Sequence, residues 1–199
     1  MDFKDIVKSR RAIRQYEAKA VPEETIRELL EITSYAVSAI NLQPWKIKVV
    51  SDQETKDKLF PATFGQNQVK TCSHLFVFCA DTDYAGIINT TNRVMQAGGV
   101  PDPQREAMMG LAANVADGMP PEARLAWSKE QVYIALGNCL NGAYSLGLGA
   151  CPMTAFQPPA FAEILGLPEN LVPTVMVSIG YAAEAGGPKV RRSVDDILV

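Results

Sequence analysis

Two stretches of this chain have almost no polar alternation: Leu75-Phe76-Val77-Phe78-Cys79-Ala80, and the run from Val172 to Tyr181. A strand that is apolar at successive positions has no face to offer water. Both runs therefore read as central strands, and helices must cover the sheet on both sides. Trp45 to Val50 is different. Trp45, Ile47 and Val49 alternate with Lys46 and Lys48, the pattern of a half-buried strand.

The covering helices are legible in part. Residues 2–9 read as a short helix. Residues 22–38 read as a longer one, with Pro22 at its first position and Glu23 and Glu24 at its positive end; Ile26, Leu29, Leu30, Thr33 and Val37 share one face. Residues 52–60 suit a further helix. The longest falls at 128–147, where Val132, Ala135, Leu136, Cys139, Ala143 and Leu146 recur at helical spacing. Gly137 and Gly142 lie inside it. A mid-helix glycine costs about 1 kcal/mol relative to alanine, so close approach of another backbone is expected, from this chain or from a second copy.

Residues 93–121 are the least regular. Gly98-Gly99-Val100-Pro101 and Gly118-Met119-Pro120-Pro121 bracket a helical stretch from Gln104 to Ala116. An excursion bounded in this way suits a lid or an interface arm on a single domain spanning 1–199. The last segment, from Gly186, begins polar and ends Ile197-Leu198-Val199, which predicts a docked terminus.

Composition narrows the chemistry. The net charge of −3 and the lack of a long basic run argue against nucleic acid as a partner. No apolar run is long enough to span a bilayer, and the N-terminus has no signal core, so a cytoplasmic location is expected. The four cysteines form no C-x-x-C pair, which argues against a disulfide framework or a zinc site. His74 is the only histidine and opens a central strand, where a structural role is expected; no H-E-x-x-H motif, nucleophile elbow or G-x-x-x-x-G-K-[ST] loop is present. No metal and no catalytic side chain is therefore expected. Chemistry performed by a bound cofactor explains the composition best.

Several segments are candidates for holding it. Ser9-Arg10-Arg11-Ala12-Ile13-Arg14 gathers three guanidinium groups, and arginine binds phosphate bidentately without losing its charge. Lys189, Arg191 and Arg192 form a second basic group near the other terminus. Ser38 to Trp45 ends a helix and places the amides of Asn41 and Gln43 before Pro44. Gln66, Asn67 and Gln68 add three more amides. Gly147-Leu148-Gly149 leads to Pro152-Met153-Thr154-Ala155, read as a glycine-rich turn whose backbone N–H groups face a ligand. It is not a dinucleotide fingerprint, because it follows a helix and not a strand. An anionic end and a flat, hydrogen-bonding end together describe a phosphorylated flavin.

In order, the chain holds Ser9-Arg10-Arg11-Ala12-Ile13-Arg14, Asn41-Leu42-Gln43-Pro44-Trp45, Ser73-His74-Leu75-Phe76-Val77-Phe78, Gln131-Val132-Tyr133-Ile134-Ala135-Leu136-Gly137-Asn138, Gly147-Leu148-Gly149 with Pro152, and Lys189-Val190-Arg191. In this order it resembles the FMN-dependent nitroreductase family over nearly its whole length. The resemblance implies an α+β fold with a central mixed, mainly antiparallel sheet flanked by helices. It also implies an intertwined homodimer with FMN at the subunit interface. By resemblance, Arg10, Lys189 and Arg191 would hold the phosphate, with Arg11 and Ala12 against the cofactor and Arg14 near the pyrimidine edge. Gln68 and Gln66 would reach the pyrimidine, Thr154 and Ala155 would lie near N5, and Pro152 and Met153 would also bind the cofactor. Ser38, Ala39 and Asn41 would come from the partner subunit. The chain departs from common members at Ala12, Ala39, Gln68 and Thr154-Ala155. The implied activity passes hydride from NADH or NADPH to the flavin, then electrons to a nitroaromatic, quinone or flavin acceptor, in a ping-pong cycle. A non-catalytic flavin-binding protein, or a member with different flavin chemistry, would carry the same residues.

Overall fold

A computed structural model describes residues 2–199. The sheet has four strands in the order β1 (Trp45–Val50), β2 (His74–Asp81), β4 (Leu171–Gly180), β3 (Gly149–Met153), antiparallel throughout. Among the described residues the one parallel pairing is an isolated bridge between Ala12 and Ala150 at the β3 edge. The helices are α1 (Phe3–Ser9), α2 (Glu23–Ser34), α3 (Gln53–Leu59), α4 (Gln68–Thr71), α5 (Tyr84–Ala97), α6 (Asp102–Gly118), α7 (Pro121–Ser145) and α8 (Pro158–Ile164).

All of β2 is buried, as a run without alternation requires. Phe76, Phe78 and Ala80 point into one core with Val175, Val177 and Ile179 of β4, under Leu29 of α2 and Val132, Ala135, Cys139 and Ala143 of α7. Leu75, Val77 and Cys79 point the other way and meet Met176, Cys151 and Met153 under Leu59, Val69 and Phe161. The central position of β2 and β4 follows directly: only the two middle strands of four have both faces and both edges covered.

The long helix starts earlier than its periodicity suggests. Pro121 opens α7, because its fixed φ and missing N–H suit a first helical position. At the other end Gly147 takes φ +75° and the N–H of Leu148 returns to the Ala143 carbonyl at 2.8 Å, a left-handed helix stop that glycine alone enters cheaply. Helix α2 ends at Ser34, four residues short of the expected limit, because the chain turns at Tyr35 to bury Ala36. The stretch taken for a glycine-rich turn is instead the edge strand β3; only Gly147 makes the turn.

Residues 93–121 are more ordered than their glycines and prolines imply. They carry the end of α5 and all of α6, packed together, with Gly98 to Pro101 forming the corner. Arg105 of α6 donates to Asn92 of α5 and to Asp102, each at 2.5 Å. A third apolar cluster, around Leu42, Tyr84, Ile87, Ala112 and Ala116, seats the pair on the body. The C-terminal residues Ile197, Leu198 and Val199 are exposed and do not dock on their own chain.

The two interior glycines of α7 have different surroundings. A Cβ on Gly142 would sit 2.8 Å from Ile32 Cγ2 and 3.2 Å from Leu29 Cδ1, so the close approach is the crossing of α2 within this chain. Gly137 faces open space. Ile32 is β-branched and stiff at χ1, so it cannot swing clear. Gly142→Ala is therefore expected to lose about 1–3 kcal/mol to overpacking, more than the helix-propensity gain of about 1 kcal/mol. A lowered Tm in calorimetry checks this; a raised one would mean that the crossing opens freely.

Candidate active site

The segment after α1 runs along the free edge of β3. The N–H of Ile13 donates to the Ala150 carbonyl at 3.1 Å, and Glu17 and Ala183 continue the attachment to the end of β4. Ile13 and Tyr16 bury inward, and Tyr16 Oη lies 2.8 Å from the Ile13 carbonyl, 2.9 Å from the Ser178 carbonyl and 2.8 Å from Ser178 Oγ, with its single proton to donate to one of them. This pins the arginines. Arg10, Arg11, Ala12 and Arg14 line a cavity of about 360 Å³ with Pro152, Gly187, Pro188, Lys189 and Arg191. Two basic groups from opposite ends of the chain thus meet at one place.

The cations in that cavity are not equivalent. Arg11 spends Nη1 on the carbonyls of Lys8, Ser9 and Arg10 and Nε on Gly187. Lys189 Nζ donates to the carbonyls of Val7 and Arg10. These two side chains close the C-terminal end of α1 and tie the C-terminal segment to it. Gly186 makes the tie possible: at φ +73° it passes so near Arg11 that a Cβ would meet the Arg11 Cβ at 2.8 Å. Arg10 and Arg14 make no side-chain hydrogen bond, and none of these five cations is in an ion pair among the described residues. Burial and the neighbouring Arg191 lower the pKa of Arg10. Burial, then Arg10, Arg191 and Arg11, lower that of Lys189. Unpaired cations that push one another toward deprotonation are relieved by an anion carrying two charges, as a phosphate monoester does.

Along the same edge strand lie the amides. Gln66 Nε2 donates to the Ala155 carbonyl at 2.6 Å and to Thr63 at 3.0 Å. Gln68 is buried at the start of α4, with Nε2 3.1 Å from Met153 Sδ and 3.5 Å from Gln66 Oε1. Thr154 and Ala155 are exposed, and their backbone N–H groups have no partner among the described residues. Pro152 to Ala155 therefore links the cationic cavity to a row of amides and free N–H donors. A phosphate at one end and a hydrogen-bonding heterocycle at the other fit this edge.

Ser38, Ala39 and Asn41 stand elsewhere. They form a short 3-10 turn against α7, exposed at Asn41, and share no cavity with the arginines. Ile40, Asn41 and Gln43 all have positive φ, near 50°. Ser38 Oγ accepts the Gln43 N–H at 2.9 Å, and Gln131 Oε1 accepts the Ala39 N–H at 2.9 Å. Gln131 went unnoticed as a site residue; its only sequence signal is a polar side chain on an otherwise apolar helix face.

His74 is buried, with Nδ1 3.0 Å from Ser73 Oγ and Nε2 3.3 Å from Glu23 Oε1, away from the cationic cavity. No cluster of metal-binding side chains occurs among the described residues, and no helix is long and apolar enough to cross a membrane.

The helix-clad antiparallel sheet makes this an α+β protein with a cationic sheet edge. The chain belongs to the nitroreductase family, whose model matches residues 7–181. It is 38% identical to a protein named NADH dehydrogenase from Thermus thermophilus, over all of this chain and 96% of that one. Bacillus subtilis YdgI, named as a candidate NAD(P)H nitroreductase, is 30% identical over 98% of this chain and 96% of its own. Among solved structures, a candidate nitroreductase of Exiguobacterium sibiricum in complex with FMN superposes with a TM-score of 0.92 at 27% identity, covering 100% of this chain and 97% of that one.

The four cysteines are all buried and free. Burial pushes the thiol of Cys72 up to about 11 and those of Cys79 and Cys139 to about 12, and raises that of Cys151. Folding thus favours the protonated thiol. The stability this adds is fully present below the unfolded value of 9.0 and is lost as pH rises toward 11–12. No thiol should react with Ellman's reagent at pH 8 until denaturant is added, and unfolding free energy should fall steadily above pH 9. A rapidly titrating thiol in native protein would contradict this burial.

Proposed function

We propose that the protein is an FMN-dependent NAD(P)H oxidoreductase that works as a homodimer. The observation that carries this reading is the sheet edge: unpaired Arg10 and Arg191 at one end, amides and free N–H groups at the other, joined by Pro152 to Ala155. FMN-bound structure in the Exiguobacterium relative and the nicotinamide named in the Thermus and Bacillus relatives support it.

Arg10 and Arg191 hold the phosphate through charge-assisted hydrogen bonds, and Lys189 adds a third cation. Arg11 and Ala12 line the same cavity, and Arg11 also holds its shape through backbone carbonyls. Arg14 places positive charge at the pyrimidine edge, where Gln68 and Gln66 present amides. Met153 positions Gln68, and the N–H groups of Thr154 and Ala155 face the reactive centre of the ring. When bound, FMN supplies the two-electron chemistry, accepting hydride from the nicotinamide and passing electrons to an acceptor in alternation. Candidate acceptors are nitroaromatics, quinones and free flavins. Positioning and fixed charge do the protein's share, with no strong acid or base among these residues.

The second wall comes from a second copy. Ser38, Ala39 and Asn41 share no cavity with Arg10 in one chain, while Tyr35, Val37, Tyr133 and Ile134 leave apolar surface exposed beside them. The α5–α6 pair, with Val94 and Leu111 exposed, serves as lid and interface arm.

Anaerobic titration with NADH and with NADPH tests the activity: either should bleach the visible flavin absorbance of FMN-loaded protein, and 1,4-benzoquinone should restore it. Bound flavin that neither nicotinamide bleaches would make this a flavin-handling protein. Arg10→Ala should weaken FMN binding by about 1.5–3 kcal/mol, roughly 10- to 150-fold in Kd. An unchanged Kd in fluorescence titration would remove Arg10 from the phosphate site.

A further inference from the structure

We infer that Gln131 is a positioning residue of the active site, acting through the strained turn Ser38–Gln43; this rests on the flavin site proposed above. The turn contains Ile40 at φ 54° and ψ 19°, Asn41 at φ 54° and Gln43 at φ 48°, and none of these residues is glycine. A β-branched residue in the left-handed region is strained, and such strain persists only where the surroundings over-determine it. Leu42, buried in the third apolar cluster with Ile40 packed against it, seats one end of the turn, and two side-chain hydrogen bonds complete its restraint. Ser38 Oγ accepts the Gln43 N–H and closes the turn on itself. Gln131 Oε1 accepts the Ala39 N–H and fixes the turn to the body.

Gln131 is well suited to that task. It is 7% exposed, it projects from the middle of the longest helix, and α7 packs against α2 and the sheet. Its position is therefore set by the core and not by the turn. Val132 and Ala135 beside it are wholly buried, and the buried Ser128 one turn earlier has its hydroxyl engaged by Tyr84 Oη and the Asp81 carbonyl. With the N–H of Ala39 held, Asn41 is left exposed with its Oδ1 accepting from Gln43 Nε2 and its own amide N–H groups without a partner. The turn thus presents two amide donors outward, in a geometry the backbone would not keep unaided. Gln131 itself touches no ligand; it sets where Ser38, Ala39 and Asn41 stand.

Two substitutions remove the same hydrogen bond from opposite sides. Gln131→Met keeps the volume and deletes the acceptor. Ala39→Pro deletes the donor, and Ser38 at φ −148°, ψ 156° already has the extended conformation a residue before proline prefers. In FMN-loaded protein, each should lower kcat/KM for 1,4-benzoquinone about tenfold, the worth of one buried hydrogen bond. Each should also change the visible circular dichroism of the flavin, and Gln131→Met should speed amide exchange across residues 39–43, measurable with or without FMN. Gln131→Glu, which retains an acceptor oxygen, should restore most of the activity. Because both changes act on one bond, the double variant should be no worse than the poorer single one. Additive losses, or a Gln131→Met protein matching wild type in loop exchange and flavin dichroism, would overturn the proposal. Wild-type protein that takes up no FMN would instead overturn the site reading, while the exchange measurement would still report on Gln131.

Discussion

Burial of β2 and β4 on both faces is the constraint on which the rest of the structure depends. Phe76 and Phe78 commit one face to α2 and α7, and Leu75 and Val77 commit the other to α3, α4 and α8. Once both faces are covered, the two middle strands are out of reach of any ligand. The exposed edge of β3 is what remains, and the N-terminal segment, the C-terminal segment and the Gln66–Gln68 turn all converge there. The candidate site lies at the margin of the sheet because the centre is filled.

At that margin the backbone, more than the side chains, does the assembling. Lys189 and Arg11 are spent on carbonyls at the end of α1, and this brings residues 179 positions apart within 3.1 Å. The guanidinium groups of Arg10 and Arg14 are left beside Arg191 without an ion pair among the described residues, and the nearby Glu184 carboxylate is taken by the backbone N–H groups of Arg14 and Gln15. Such a concentration of cations is held at an electrostatic cost that a dianion would offset.

Much of this was legible in the residues. The apolar runs required a sheet covered on both faces, the arginine cluster and the Gln66–Gln68 amides marked segments that the fold brings to one sheet edge, and the ordered motifs pointed to the family. Gly98 to Pro101 and Gly118 to Pro121 bracket the helix expected at Gln104 to Ala116, and Arg105 and a small apolar cluster pack it against α5. Other segments differ from their local pattern for physical reasons. Gly149 was read with Gly147 as part of a turn, yet it sits in a strand where Ile13 leaves no room for a Cβ, 3.0 Å away. Ile197 to Val199 looked like a docked end, but a short apolar segment docks only where a complementary surface lies within reach.

The sequence by itself determined which residues are apolar, which are permanently charged, and at what period each recurs; that was enough for the fold class, the absence of a nucleophile or metal motif, and the candidate cradle. Only the tertiary structure decided how those residues are employed. It divided five similar cations into two that build the cavity wall and others that face the cavity unpaired. It set the Ser38–Asn41 turn apart from the arginines, and it brought Gln131 Oε1 to the Ala39 N–H within that turn. The physical reason is that charge and period are local properties, whereas the partner of a hydrogen bond is chosen by whatever the fold brings within 3 Å.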